Sequence, residues 1–272
     1  MEDLFSVKDK VVVITGGAGV LGSQLAKDLA ECGARLCIAD YDEFRAKELA
    51  KEIESKGGFA LPIRMNVLDK TEVVDGFSCV LESIGPVDVL INAAGGNKKE
   101  ATATEELPFF DMPVDAIRWV FDLNFIGTLL PCQVFGKHMV ERNQGIILNV
   151  SSMSAFSALT KVGTYSAAKA AVSNFTGWLA VHMCQNYSKN IRVNAIAPGF
   201  FLTEQNRFLL TDEKTGELSP RGKTIIDHTP MGRFGEAEEL CGTVRWLLSD
   251  ASKFVTGTVI PIDGGFNAFS GV

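Results

Sequence analysis

The stretch Lys10-Val-Val-Val-Ile-Thr-Gly-Gly-Ala-Gly-Val-Leu-Gly22 runs from a β-branched strand through a glycine turn into a helix. Leu25, Ala26, Leu29 and Ala30 continue the helical spacing and Gly33 ends it. Working outward, Arg35–Ala39 is a second strand, and Asp42 caps a helix that reaches Lys56 before Gly57-Gly58. Phe59–Met65 is a third strand. Asp69-Lys-Thr-Glu72 has capping-box spacing ahead of a third helix, and Val87–Ile91 is a fourth strand. Gly145–Val150, Ile191–Ile196 and Gly257–Ile262 complete the set, with room between them for crossover helices. Continuous apolar strands alternating with helices predict a parallel sheet covered on both faces. The expected fold is therefore α/β: one Rossmann domain over residues 1–272, with a doubly wound sheet of about seven strands. The polar segment from about 200 to 235 breaks the rhythm before the last helix and strand, and a lid belongs there.

Composition excludes several classes. The chain has 272 residues, 46% apolar and 22% charged, which suits a globular domain with a large core. Its 33 acidic residues against 26 basic give a net charge of −7, and no basic run appears, so nucleic acid is not an expected partner. The N-terminus lacks a signal-peptide layout and no apolar run suits a membrane span, which points to a cytoplasmic protein with no membrane partner. Six scattered cysteines without a Cys-x-x-Cys pair, and histidines 138, 182 and 228 without helical ligand spacing, leave no expected metal site.

Gly17-Ala-Gly19-Val-Leu-Gly22 fits G-x-G-x-x-G, the turn that brings main chain close to a pyrophosphate at a helix N-terminus. Asp40 follows Gly22 by 18 residues, at the end of the next strand, where a carboxylate accepts from a ribose diol and repels a 2′-phosphate. NAD is the expected cofactor. Tyr165 and Lys169 stand at i, i+4 spacing on a helix, so ammonium and phenol share a face. A nearby cation favours the phenolate, and a tyrosine tuned toward neutrality serves as acid and base.

Taken together, Thr15-Gly-Gly-Ala-Gly-Val-Leu-Gly22, Asn92-Ala-Ala-Gly95, Asn124, Ser151-Ser152, Tyr165-x-x-x-Lys169, Pro198-Gly199 and Thr203 resemble the short-chain dehydrogenase/reductase family over essentially the whole chain. The resemblance implies that Tyr165 exchanges a proton with the substrate oxygen and that Ser152, 13 residues before it, hydrogen-bonds that oxygen. It implies that Lys169 lowers the tyrosine pKa and holds the nicotinamide ribose, and that Asn124 holds a water linking Lys169 to solvent. The implied cofactor contacts are Gly16, Gly17, Gly19, Val20, Leu21, Gly22, Asp40, Asn66, Val67, Asn92, Ala93, Ala94, Gly95, Tyr165, Lys169, Pro198, Gly199 and Thr203. Some positions depart from the family pattern. Val20 replaces a glycine, Asn66-Val67 replaces Asp-Val, Ala93 replaces the second asparagine of the fourth-strand motif, and Pro131 predicts a helix kink one to two turns beyond Asn124.

Gly95-Gly-Asn-Lys-Lys99, Ser152-Met-Ser-Ala-Phe156, Ala197–Arg207 and the ending Asp263–Val272 further resemble the mannonate oxidoreductase (fructuronate reductase) branch. That implies a sugar-acid substrate, D-fructuronate or D-mannonate. Its carboxylate needs a cation, for which Arg207, Lys98 and Lys99 are candidates, and Asn97 and Ser154 are candidate hydroxyl contacts. Gluconate or 5-ketogluconate, another polyol and a 3-ketoacyl ester are alternative substrates, and a non-catalytic NAD-responsive sensor is the alternative of a different class. Ser166-Ala-Ala-Lys169 with Lys214-Thr-Gly216 also matches two motifs of penicillin-recognising serine enzymes, but Lys214-Thr-Gly216 lies outside any predicted strand and no Ser-Asp-Asn occurs. The resemblance implies a homotetramer or homodimer, with the apolar tail residues Phe266, Phe269 and Val272 docked.

Overall fold

The computed structural model describes residues 3–202, 210–211 and 216–271. Seven strands form one sheet: β1 (Val11–Thr15), β2 (Arg35–Asp40), β3 (Phe59–Arg64), β4 (Val89–Asn92), β5 (Gly145–Val150), β6 (Ile191–Pro198) and β7 (Val259–Ile262). Their order is β3-β2-β1-β4-β5-β6-β7, and every neighbouring pair is parallel. The run from β1 outward to β3 reverses direction between β1 and β4, so a crevice opens at the carboxyl ends of those two strands. All of β1, β4 and β6 is buried, which explains why these strands read as unbroken apolar runs.

Helices α1 (Val20–Glu31), α2 (Glu43–Ser55) and α8 (Cys241–Leu248) pack a core on one face, built on Ile14, Leu29, Ile38 and Leu247. Helices α3 (Lys70–Ser83), α5 (Gly127–Glu141) and α6 (Gly163–Asn186) pack the other, around Val13, Leu90, Phe135 and Met139. Two aspartates start helices as expected: Asp42 accepts from Arg45 N, and Asp69 accepts from Thr71 N and Glu72 N, contacts of this kind being worth about 1 kcal/mol each. The capping box at Asp69 does not close. Glu72 instead accepts from Asn66 N at 2.9 Å and Arg64 Nη1 at 2.8 Å, because the end of β3 lies nearer than the main chain of Asp69 and offers a charge-assisted bond.

Helix α4 (Val114–Phe121) runs into a wide π-turn at Asp122–Ile126 and then into α5, which contains Pro131 without a break. The irregularity falls on Asn124 itself. Its Nδ2 donates to Val120 O at 2.7 Å, and Thr128 Oγ1 donates to Asn124 O at 2.9 Å, so side chains take over carbonyls that a regular helix gives to N–H groups.

Segment 200–235 leaves and rejoins the fold at one point. Gly235 N donates to Phe200 O and Leu202 N to Gly235 O, at 2.9 and 3.0 Å. Within it lies α7 (Pro220–Asp227), capped by Ser219. Its polar sequence hides an apolar underside: Leu210 and Ile225 are buried with Met153 and Phe266. The tail docks on its own chain, with Phe266 against Phe200 and His228 at centroid distances of 5.2 and 4.6 Å. Among the described residues no helix is long and apolar enough to cross a membrane.

Candidate active site

The turn between β1 and α1 is main chain at close quarters. Gly16 has φ +61, and a Cβ there would stand 2.6 Å from Ala94 Cα; a Cβ on Gly22 would collide with Gly16 O. Only glycine fits either position. Gly19 is the N-cap and Val20 the first helical residue, so the departure from the glycine pattern places a side chain on the cleft wall at the start of the helix. No acidic residue occupies the first turn of α1, and its cap has no side chain, which leaves the positive end of the helix open to an anion. Asp40 Oδ2 accepts from Ala18 N and Oδ1 from Asp42 N, both at 2.9 Å, so the carboxylate is locked beside the turn with lone pairs to spare.

The reactive groups arrive from β5 and α6. Ser151 is committed inward: its hydroxyl donates to Lys169 O at 3.0 Å and meets Ser173 Oγ at 2.7 Å. Ser152 is the serine whose hydroxyl reaches the Tyr165 phenol. Ser152 Oγ also accepts from Ser154 N at 3.2 Å and from Ser154 Oγ at 3.0 Å. Those bonds occupy both lone pairs, so what remains to Ser152 is its own proton. Ser154 is buried behind Ser152, where it orients that hydroxyl.

Lys169 is buried and donates to Val150 O at 2.7 Å, with its ammonium 5.7 Å from the Tyr165 ring centre. Burial lowers its pKa to about 8. Burial raises the pKa of Tyr165, and the Ser152 hydrogen bond pulls it part of the way back. The ammonium is held to the Val150 carbonyl, and desolvation is the larger influence on the half-buried phenol. Asn124 Oδ1 accepts from Gly96 N at 3.2 Å and Nδ2 donates to Gly96 O at 2.7 Å. Its amide therefore clamps the loop after β4, with both Nδ2 protons spent on Gly96 O and Val120 O and one Oδ1 lone pair on Gly96 N.

The glycine turn with Val20 and Leu21, Tyr165 and Lys169 share a cleft of about 310 Å³, whose wall is completed by Ala93, Gly95, Gly96, Val150, Gly199, Phe200 and Phe201. The other candidates lie elsewhere. Gly17 N donates to Ala39 O within the turn, and Ala94 N bonds Thr15 Oγ1 at 3.4 Å. Asn92 turns its amide into the core, to Asn149 Oδ1 and Cys132 Sγ at 2.9 and 3.2 Å. Asn66 is half-buried with Oδ1 on Leu68 N, and Val67 is buried against Gly127. Pro198 ends β6. Asn97 Nδ2 bonds Thr102 Oγ1, and the Lys98 ammonium sits 4.9 Å over the Trp119 ring. Lys99 opens a short 3₁₀ turn and is exposed. Thr203 and Arg207 lie outside the described residues. Sequence reasoning missed Gly96, Val150, Phe200 and Phe201, whose only signal is adjacency to Gly95, Ser151 and Gly199.

Residues 17–267 match the family model described as enoyl-(acyl carrier protein) reductase. The chain belongs to the short-chain dehydrogenase/reductase family. It is an oxidoreductase of that family. An uncharacterized oxidoreductase of Haemophilus influenzae is 45% identical over 279 residues, covering 98% of this chain and 96% of that protein. The 5-keto-D-gluconate 5-reductase of Escherichia coli is 35% identical over 266 residues, covering 97% and 98%. Among solved structures, a Haemophilus influenzae protein provisionally described as a D-mannonate oxidoreductase, with bound NAD, superposes with a TM-score of 0.92 at 44% identity, covering 98% of each chain.

Proposed function

We propose that the protein uses NAD(H) to interconvert a 5-oxo-hexonate and its hexonate, with D-fructuronate and D-mannonate as the first pair. The observation that carries this is the single cleft in which the glycine turn meets Tyr165 and Lys169, with Asp40 locked beside the turn. The open helix end suits a pyrophosphate and Asp40 suits a free ribose diol rather than a 2′-phosphate. Bound nicotinamide supplies or takes up the hydride.

The chain's own residues do the rest. Ser152, limited to donating, directs its proton at the substrate oxygen. Tyr165, kept protonated by burial, delivers a proton to that oxygen during reduction and recovers it during oxidation. Lys169 holds positive charge beneath the phenol and, held to Val150 O, keeps a fixed place for the ribose hydroxyls. Asn124 fixes the loop at Gly95-Gly96 and offers its carbonyl to a water beside Lys169. Segment 200–235, whose ends are tied together, is the element that covers the substrate.

The sugar-acid class rests on chemistry that the two named relatives share. D-fructuronate and 5-keto-D-gluconate have the same constitution and differ only in configuration at the carbon next to the carboxylate. A 5-keto-D-gluconate reductase reading therefore stands second, favoured by the 35% identity to the Escherichia coli enzyme. Turnover of D-fructuronate, 5-keto-D-gluconate, D-tagaturonate and an acetoacetyl ester, each with NADH and with NADPH, is the test. Fast reduction of D-fructuronate with NADH alone is expected. Reaction of the ester in preference to the acids overturns the substrate class, and NADH binding with no turnover of any of them favours the sensor. For the assembly we propose a homotetramer or homodimer in the cytoplasm, supported by the more than half exposed Trp178 and Tyr187 on and after α6 and measured by light scattering.

A further inference from the structure

A second cavity, of about 980 Å³, opens between the loop after Ser152, α7 and the C-terminal tail. Phe200 lines both this cavity and the cofactor cleft, so the two spaces adjoin beside the reactive groups. The far cavity is chemically divided. Phe200, Phe266 and Phe269 give it an apolar floor, on which the His228 ring rests at 4.6 Å from Phe266 and 5.2 Å from Phe269. Lys161 from the loop and Arg221 from α7 bring positive charge to its walls, and among the described residues neither forms an ion pair. Asp227 of α7 also lines this cavity, so one carboxylate stands there with the two cations.

Lys161 is held there at a cost. Its φ is 74, in the left-handed region, and it is not a glycine. Its carbonyl accepts from Ala103 N at 2.8 Å, which pins the loop between Ser152 and Tyr165 to the segment after β4. Left-handed backbone at a side-chain-bearing residue costs about 1–2 kcal/mol, and such strain concentrates at binding sites.

We infer that Lys161 and Arg221 hold the carboxylate of the substrate, and that this end of the cavity chooses between epimeric sugar acids. The inference rests on the sugar-acid reading above and names its anion site. Both cations are exposed on this wall, so a carboxylate gains from them where an acyl chain or a neutral polyol does not. A carboxylate pairs with both, and the guanidinium takes it through two parallel bonds. Lys98, one of the cations expected from sequence, is engaged on Trp119 and is not on this wall. With the ketone at Tyr165, the carbon that distinguishes D-fructuronate from 5-keto-D-gluconate lies beside the carboxylate. Thr160 and Thr224 share this wall with the two cations and read its configuration, Thr224 as an acceptor because its hydroxyl donates to Pro220 O at 3.0 Å.

The test is steady-state reduction of both acids at saturating NADH by Lys161→Gln, Arg221→Gln, the double variant, and the charge-keeping Lys161→Arg and Arg221→Lys. Both positions are exposed, so the fold is kept, and an unchanged NADH dissociation constant checks this. Each neutral variant is expected to raise KM for the acids about tenfold, as for the loss of one charge-assisted bond, with kcat within about twofold. Lys161→Arg restores KM, and Arg221→Lys restores it in part, since an ammonium keeps the charge and loses one of the two parallel bonds. The wild-type KM rises with ionic strength, and that of the double variant does not. An unchanged KM in the double variant, with the wild type reducing the acids normally, overturns the inference and leaves the sugar-acid reading standing. Equal losses in the neutral and charge-keeping variants overturn it as well, since they report cavity shape and not charge. A wild type that reduces neither acid overturns the sugar-acid reading itself.

Discussion

On the side of β1, β2 and α1 the cleft wall is main chain: a turn in which Gly16 and Gly22 have no room for a Cβ, an uncapped helix end, and one carboxylate pinned by two N–H groups. On the side of α7 and the tail the wall is side chains: a small apolar cluster of Met153, Leu210, Ile225 and Phe266 beneath, with Lys161, Arg221 and His228 above. The first wall tolerates one geometry, because backbone cannot repack. The second changes its chemistry by substitution without disturbing the sheet. One fold can therefore keep a fixed cofactor site while varying its substrate, and effects of mutation should differ in kind between the walls.

The largest effect should come from the residue where the walls meet. Tyr165→Phe is expected to lower kcat by about a hundredfold to ten-thousandfold, with NADH still quenching protein fluorescence at the wild-type concentration. Near-normal turnover would remove Tyr165 from the chemistry. On the backbone wall, Asp40→Ala should weaken NADH about ten- to hundredfold, the worth of a hydrogen bond to a charged group, and leave NADPH little affected. Equal losses for both nucleotides would mean that the carboxylate only props up Ala18 and Asp42.

Protonation sharpens the same comparison. Lys169 titrates at about 8 and burial holds the Tyr165 pKa above its ordinary value, so the acid form of the pair persists at low pH. The kcat/KM for ketone reduction should be flat below that point and fall about tenfold per pH unit above it, as Lys169 loses its charge. A limb displaced to the free-lysine range would show that the ammonium is better solvated than its burial implies. The sign for stability is opposite: between about 8 and the unfolded lysine value the unfolded chain binds more protons, so this group makes stability rise with pH in that window. The smallest effect belongs to Ser154→Ala, which frees one lone pair of Ser152. A three- to tenfold fall in kcat at constant KM is expected from about 1 kcal/mol of lost orientation, and a raised KM would instead make Ser154 a substrate contact.

Much of the backbone wall was legible in the sequence. The strand, Gly16-to-Gly22 turn, helix and Asp40 follow from local rules, and they appear where those rules put them. The choice of Ser152 over Ser151 came only from the family resemblance, and the structure supplies its cause in the bonds that hold Ser151 to α6. The side-chain wall was scarcely legible. Lys161 and Arg221 are sixty residues apart, and nothing in either neighbourhood marks a shared cavity. The capping box expected at Asp69 stays open because spacing along the chain does not reveal a partner that arrives from another segment. Glu72 takes Arg64 and Asn66 N from the end of the third strand instead, and Asn124 clamps the loop after β4.

The sequence alone determined the class of fold, the cofactor turn and the spacing of tyrosine and lysine, because backbone sterics and hydrophobic periodicity act over a few residues. Only the tertiary structure decided which serine faces the phenol, where Lys169 spends its charge and which cations line the second cavity. Those outcomes depend on desolvation and on hydrogen bonds between segments far apart in the chain, and no local pattern encodes them.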